Sequence, residues 1–349
     1  MEETQKVQES VIHAVLALYG LDAAFSEQKE YIHYTGEHGD DLVKIILSVL
    51  LVNGKRVVIK ILHEQDDLLE DRAKIEKQSA FSECMRQNGI KTPMRYMANG
   101  SYCHAFVYND LPCNVTVEDW CGEEIMEINT DIAYKIGELM ARTHVISLEN
   151  KCEIGCGTLF SAAYWNDVDA FSQFCKLGKN ENLDQTLVEQ IKKLHDEKLE
   201  AIRAVWDRLP KAAVQGDISI NNLVYGKDEL IVFDYNNAGD EVLISDLVME
   251  GLLTAYEMDL PEGTGQSCRE QLFPALLDGY LSVRKLSDEE ANAAWIVYTL
   301  YHALWFTRVV YNDDSLEKLV EKGNYTAANR LLAQMLADMT ENDDGRFRK

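Results

Sequence analysis

Val214-Gln215-Gly216-Asp217-Ile218-Ser219-Ile220-Asn221-Asn222, followed by a polar turn and the apolar run Leu230-Ile231-Val232-Phe233 that ends on Asp234, sets two carboxylates and an amide at fixed spacing. Asp217 is suited to accept or orient the proton of an attacking hydroxyl. The amide oxygen of Asn222 and the carboxylate of Asp234 are hard oxygen donors of the kind Mg²⁺ takes. An acid, an Asn five positions on and a second acid after two short strands is the order that phosphoryl transfer from a nucleotide requires. Without that chemistry the same residues read as an Asn-rich turn before a hairpin, with Asp234 closing a strand, but Asp and Asn rarely recur in this order behind a Gln-Gly turn.

Upstream, residues 42–52 and 56–62 are apolar, β-branched runs joined through Asn53-Gly54, a dipeptide that tolerates positive φ and signals a tight hairpin. Lys60 falls inside the second run, where an ammonium is costly to bury without an anion. A nucleotide phosphate and a helix carboxylate would supply one; a snorkelling edge-strand lysine is the plainer alternative. The helical pattern over 68–88, closed by Gly89, offers that carboxylate as Glu76 first and Glu83 second. Thr35-Gly36-Glu37-His38-Gly39 is a thin glycine loop with two glycines, weak evidence for a phosphate cover by itself. Strands resume over 102–108 and 113–118. From there the chain leaves the sheet through Glu118-Asp119-Trp120-Cys121-Gly122, whose exposed backbone could meet an adenine; an ordinary edge strand and turn is the plainer alternative.

A chain of 349 residues, 46% hydrophobic, is long enough for two lobes. Its formal charge of -25 argues against nucleic acid or an anionic membrane surface as the main partner. That charge suits a cationic small substrate and equally suits plain solubility. Eight cysteines show no Cys-x-x-Cys pair and no paired His, so reduced thiols in a cytoplasmic protein are expected. The amino terminus lacks a signal-peptide order, and the longest apolar run, 45–52, is far too short to span a membrane.

Residues 131–146 have helical apolar spacing that includes His144, read as a packed core histidine rather than a base. Residues 185–209 form a long charged helix. After Asp234 the pattern is helical through 244–257, 268–283, 288–310 and 316–339, with a frayed tail over 341–349. Asp240, Glu241, Glu257, Asp259, Trp295, Tyr301 and Trp305 are candidates to hold an amine by charge or cation–π contact.

Taken in order, the hairpin lysine, Gly-Ile-Lys-Thr-Pro at 89–93, Glu118-Asp119-Trp120-Cys121-Gly122, Leu139-Met140-Ala141-Arg142-Thr143-His144, Gln215-Gly216-Asp217 with Asn222, and Asp234 resemble the aminoglycoside phosphotransferase and choline kinase superfamily of small-molecule kinases. The resemblance covers roughly residues 30–250. It implies an α+β, bilobal, protein-kinase-like fold: an N-terminal nucleotide-binding lobe over 1–118 with a small antiparallel sheet and one key helix, a hinge over 119–123, and a larger, mostly helical catalytic and substrate-binding lobe over 124–349.

It further implies an O-phosphotransferase using ATP or GTP with Mg²⁺. In that reading Asp217 is the base, Asn222 and Asp234 hold the metal, and Lys60, braced by Glu76, contacts the nucleotide phosphates. Backbone groups of Glu118, Asp119 and Trp120 meet the adenine, and Asp246 braces the catalytic loop. Ser219 falls where the family often has His or Ser close to the metal. The acceptor would be a small hydroxylated molecule, with an amine-bearing alcohol favoured. Gln215 stands where the family usually has His, which motivates a second reading: a kinase-fold binding or structural protein of the spore-coat type, with little turnover. An unrelated metal-dependent hydrolase would leave Lys60 and the hinge pattern unexplained.

Overall fold

A computed structural model describes residues 6–22, 24–34, 43–63, 67–158, 160–166, 170–218, 220–226 and 229–348. The glycine loop at 35–39 and Ser219 lie outside the described residues. Two compact units divide the chain, one comprising 1–125, 152–156 and 221–238, the other 126–151, 157–220 and 239–349. A single cut after residue 118 therefore misses two segments, 152–156 and 221–238, that return to the first unit.

In the first unit β1 (Phe25–Tyr34), β2 (Val43–Leu51), β3 (Arg56–His63), β4 (His104–Tyr108) and β5 (Leu111–Asp119) form one antiparallel sheet in the order β1-β2-β3-β5-β4. The Asn53-Gly54 turn is as expected: Gly54 has φ +85°, and Leu51 N–H donates to Lys55 O at 2.8 Å. Val43, Ile45, Leu47, Val49 and Leu51 alternate along β2 and are all buried. With Val57, Ile59 and Ile61 they form one core, completed by Val15 and Leu16 of helix α1 (Glu9–Leu18).

Side chains alternate along a strand, so Lys60 points away from that core to the opposite face of the sheet. Helix α2 (Leu68–Gln87) begins on Asp67, whose carboxylate accepts from Leu69 N and Glu70 N. It ends at Gly89 with φ +90°, where Ile90 N–H reaches back to Met85 O at 3.0 Å. The hairpin of Leu223–Gly226 and Glu229–Val232 is held in this unit by Val232 N–H to Lys91 O and Ile125 N–H to Leu223 O, both 3.0 Å. Gly122 also lies against it, since a Cβ there would come 2.7 Å from Val224 Cγ1.

The second unit is helical: α3 (Thr130–Asn150), α4 (Ala170–Leu177), α5 (Gln185–Arg203), α6 (Leu243–Tyr256), α7 (Leu272–Val283), α8 (Asp288–Ala303), α9 (Phe306–Val309), α10 (Leu316–Glu321) and α11 (Tyr325–Met339). Two glycines let α3 and α7 touch backbone to backbone. A Cβ on Gly137 would lie 1.9 Å from Leu276 O, and one on Gly279 would lie 2.0 Å from Tyr134 O. A short strand pair, Lys211–Val214 with Gly239–Val242, precedes α6, which is buried along nearly its whole length. The helix expected over 316–339 breaks at Gly323, φ +65°, after which Asn324 caps α11 through Ala327 N. That over 288–310 stops at Ala303 and resumes in α9. No described helix is long and apolar enough to cross a membrane.

The tail is not frayed as expected. Residues Arg346–Arg348 form a 3-10 turn in which Phe347 is fully buried among Phe273, Trp295 and Tyr298. The Arg346 guanidinium lies 5.2 Å from the Trp295 ring centroid and 4.9 Å from that of Tyr298. One aromatic in a polar segment anchors the tail, a signal too short for periodicity to detect. Phe347→Ala is therefore expected to destabilise this unit by about 3–5 kcal/mol, through lost burial plus the cavity left behind. A urea midpoint unchanged from the parent protein would refute the anchoring role.

Candidate functional site

Lys60 is 3% exposed, and its Nζ lies 3.1 Å from Glu118 Oε1 and 3.2 Å from Asp234 Oδ1. Register explains the first contact. Val58 pairs with Glu118 and Lys60 with Thr116, so Glu118 shares the face of Lys60 one pair along. The other Glu118 oxygen takes Arg95 Nε at 3.0 Å, while Arg95 also donates to Ser79 Oγ at 2.7 Å and reaches Asn236 Oδ1 at 3.4 Å. Two cations and two anions thus close a buried cluster.

Burial works against the Lys60 ammonium, but the carboxylates of Asp234 and Glu118 outweigh it and hold its pKa above the ordinary lysine value. Burial likewise opposes ionisation of Asp234, and the charges of Lys60 and Arg95 prevail, holding it below the usual carboxylate range.

The expected brace is corrected. Glu76 is not at Lys60: its carboxylate accepts the backbone N–H groups of Tyr102 at 3.2 Å and Cys103 at 2.7 Å. Glu83 pairs with Arg86 at 2.7 Å. The rotation of α2 instead sends Gln78 toward the turn after Asp234, where its Nε2 donates to Asn236 O at 2.6 Å and Ala238 O at 3.0 Å. A signal for Glu118 was present in the sequence, since an acid within Val115-Thr116-Val117 is as anomalous as Lys60 within its own strand.

Asp234 ends the hairpin in the left-handed region, φ +52°, and accepts Asn236 N–H at 3.3 Å. Asn222 lies across the hairpin from the residue before it, its carbonyl accepting the N–H of Phe233 at 3.0 Å. Both expected metal donors are thereby on adjacent arms of one turn. Among the described residues no group of three or more His, Cys, Asp or Glu gathers to hold a metal. A carboxylate beside a buried lysine, with an amide on the neighbouring arm, fits Mg²⁺, which keeps waters and takes its remaining ligands from phosphates. The Lys60 Nζ makes ion pairs without a well-directed hydrogen bond, a donor suited to a phosphate oxygen.

At 118–120 the N–H groups are partly committed. Asp119 N–H donates to Met94 O at 2.9 Å and Trp120 N–H to Arg56 O at 3.0 Å. The Asp119 carboxylate accepts Tyr96 Oη at 2.6 Å and lies 3.0 Å from Lys55, and Trp120 stacks on Tyr31 at 5.5 Å.

Asp217 belongs to the second unit. The strand ending at Val214 turns through Gly216, φ +75°, and the buried Gln215 folds its Oε1 back onto Asp217 N–H at 2.8 Å. Gln215 thus supports the loop by a hydrogen bond that requires no titratable ring. Behind it Ser147 Oγ donates to Ala213 O at 2.6 Å. His144 is a core histidine as expected, with Nε2 2.9 Å from Asp246 Oδ2 and Nδ1 2.8 Å from Tyr280 Oη.

Sequence reading missed Glu250, an acid inside the apolar α6 one turn after Asp246. Burial, followed by the charges of Asp246 and Asp217, pushes its pKa well above the ordinary value. The amine-binding candidates scatter. Glu257 accepts Trp305 Nε1 at 2.6 Å, Trp295 packs the tail, and burial pushes the Glu241 carboxyl up to about 7. Tyr301 and Trp305 do come together, in the wall of a cavity of about 190 Å³ shared with Phe160, Phe306, Met249 and Arg203.

No protein-family model matches the sequence, and no curated protein does. Solved structures match along nearly the whole chain. The amicoumacin kinase hAmiN, in complex with AMP-PNP, Ca²⁺ and Ami, superposes with a TM-score of 0.61 at 13% identity, covering 97% of this chain and 96% of its own. A microcompartment-associated aminopropanol kinase gives 0.56 at 15% identity over 95% and 96%. An aminoglycoside phosphotransferase from Alicyclobacillus acidocaldarius gives 0.54 at 12% over 97% and 98%. At such identities the likeness is one of fold, and the fold is the protein-kinase-like one that the motifs implied.

Proposed function

We propose that this protein is a nucleotide-dependent O-phosphotransferase acting on a hydroxyl of a small molecule. The observation that carries the reading is the buried ion cluster of Lys60, Glu118 and Asp234, whose arrangement around an ammonium has no purpose in packing alone. Lys60 offers charge to the phosphates of ATP or GTP. Asn222 and Asp234 would hold Mg²⁺, which when bound neutralises phosphate charge. Asp217 takes or orients the proton of the acceptor hydroxyl, with its loop held in place by Gln215. With the Asp119 and Trp120 N–H groups bonded to the carbonyls of Met94 and Arg56, adenine recognition falls to carbonyls of 118–120 and to the residues that follow. The protein works in the cytoplasm.

The acceptor is an amine-bearing alcohol in this reading, and the aromatic cavity of Tyr301 and Trp305 is its candidate seat. Support comes from the fold shared with an aminopropanol kinase and an aminoglycoside phosphotransferase.

The competing reading, a binding protein without turnover, rests on Gln215. The test is ATP and GTP binding with and without Mg²⁺, followed by nucleotide consumption against hydroxylated amines, amino acids and sugars. Tighter nucleotide binding with Mg²⁺ and consumption with at least one acceptor are expected. Metal-independent binding with no consumption would favour the competing reading.

A further inference from the structure

The loop 152–156 belongs to the first unit and lies along α2. Cys84 of α2 and Cys152 place their sulfurs 3.5 Å apart, although 68 positions separate them in sequence. Neither is in a disulfide and both are half-buried, so the touching sulfurs are within reach of small solutes. Asn88 Nδ2 lies 3.7 Å from Cys84 Sγ, and the Lys77 ammonium, two turns back on the same helix, stands against Gly155, where a Cβ would come within 2.9 Å of its Nζ.

We propose that Cys84 and Cys152 form a dithiol modification site, which low-molecular-weight disulfides of the glutathione class oxidise to an intramolecular disulfide. A disulfide needs about 2.05 Å between sulfurs, so roughly 1.5 Å of side-chain movement closes the gap. The thiolate of one cysteine attacks the small disulfide, forming a mixed disulfide and expelling one small thiolate. The second cysteine's thiolate then attacks the protein-bound sulfur and expels the other. Two protein thiols lose their protons and two electrons pass to the small disulfide, which leaves as two thiols once those protons are taken up.

The product tethers α2 to the loop after α3. That helix also carries Gln78, bonded to the Asn236 and Ala238 carbonyls, and Ser79, bonded to Arg95, so the tether restrains the support of the Lys60 cluster. Formation of the bond does not depend on the protein being a kinase.

The test incubates the full chain with oxidised glutathione, quenches with acid and maps peptides without reduction. Loss of two of the eight thiols and a peptide linking Cys84 to Cys152 are expected. Cys84→Ser and Cys152→Ser should each abolish the cross-link and instead retain one glutathione on the remaining partner. Either variant alone suffices if the other fails to fold. Stable glutathione adducts on both cysteines of the unaltered protein, or a cross-link through Cys156, would overturn the proposal. So would eight thiols surviving treatment.

Discussion

Asp217→Asn is expected to lower kcat by on the order of 10³-fold while leaving the affinity for Mg²⁺-nucleotide within about twofold. The substitution keeps the size of the side chain and one carbonyl oxygen, and it leaves untouched the backbone N–H that Gln215 holds. What is lost is the negative charge and, with it, the ability to take a proton. The nucleotide contacts proposed for Lys60, Asn222 and Asp234 lie in the other unit, and the Lys60 ion pairs with Glu118 and Asp234 do not include Asp217. A further consequence follows from Glu250, whose carboxyl is raised by burial and then by the charges of Asp246 and Asp217. Removing one of those charges eases the ionisation of Glu250, while its burial, the larger cause, stays in place. Single-turnover measurement separates these effects: the chemical step slows, and nucleotide binding measured by titration does not. Near-normal phosphorylation of an acceptor by the variant would remove Asp217 from the role of base.

The sheet hairpin was legible because β2 and β3 are buried on the core face and carry apolar alternation up to an Asn-Gly turn. β1 was not, since Phe25–Tyr34 is an edge strand in which none of the side chains is fully buried and exposed and half-buried positions do not alternate regularly, so it lacks a period to read. α1 is short and is defined by what it covers, with Ile12, Val15 and Leu16 facing the sheet. Within the candidate site the chain positions of Asp217, Asn222 and Asp234 follow from local spacing. The partner of Lys60 does not. It depends on which strand pairs with β3 and in which register, a long-range fact that placed Glu118 beside Lys60 and turned Glu76 to the backbone of Tyr102 and Cys103. Glu250 was hidden for a related reason: an acid in an apolar helix reads as a surface residue until α6 is seen to be buried nearly throughout.

Glu118→Ala is expected to destabilise the protein by about 3–5 kcal/mol, the range for removing one partner from a buried charge network. The loss exceeds that of an ordinary ion pair because Glu118 serves two cations at once: one oxygen faces Lys60 at 3.1 Å and the other Arg95 at 3.0 Å. Without it a single anion, Asp234, faces both cations inside the unit. Glu118→Gln keeps the shape and one acceptor oxygen, so a smaller loss is expected, but the charge that holds Lys60 is gone. The pKa directions set the pH window of the cluster. Lys60 is raised, so its contribution holds below the unfolded lysine value and fades as pH rises through the folded one. Asp234 is lowered, so its contribution holds above the unfolded aspartate value and fades as pH falls through the folded one. The cluster therefore contributes fully between about pH 5 and pH 9, where the penalty of Glu118→Ala in urea unfolding should be constant. Glu76→Gln is the control. If a helix glutamate braced the lysine, that variant would weaken nucleotide binding more than Glu118→Gln does; the ion pairs at Lys60 require the reverse order.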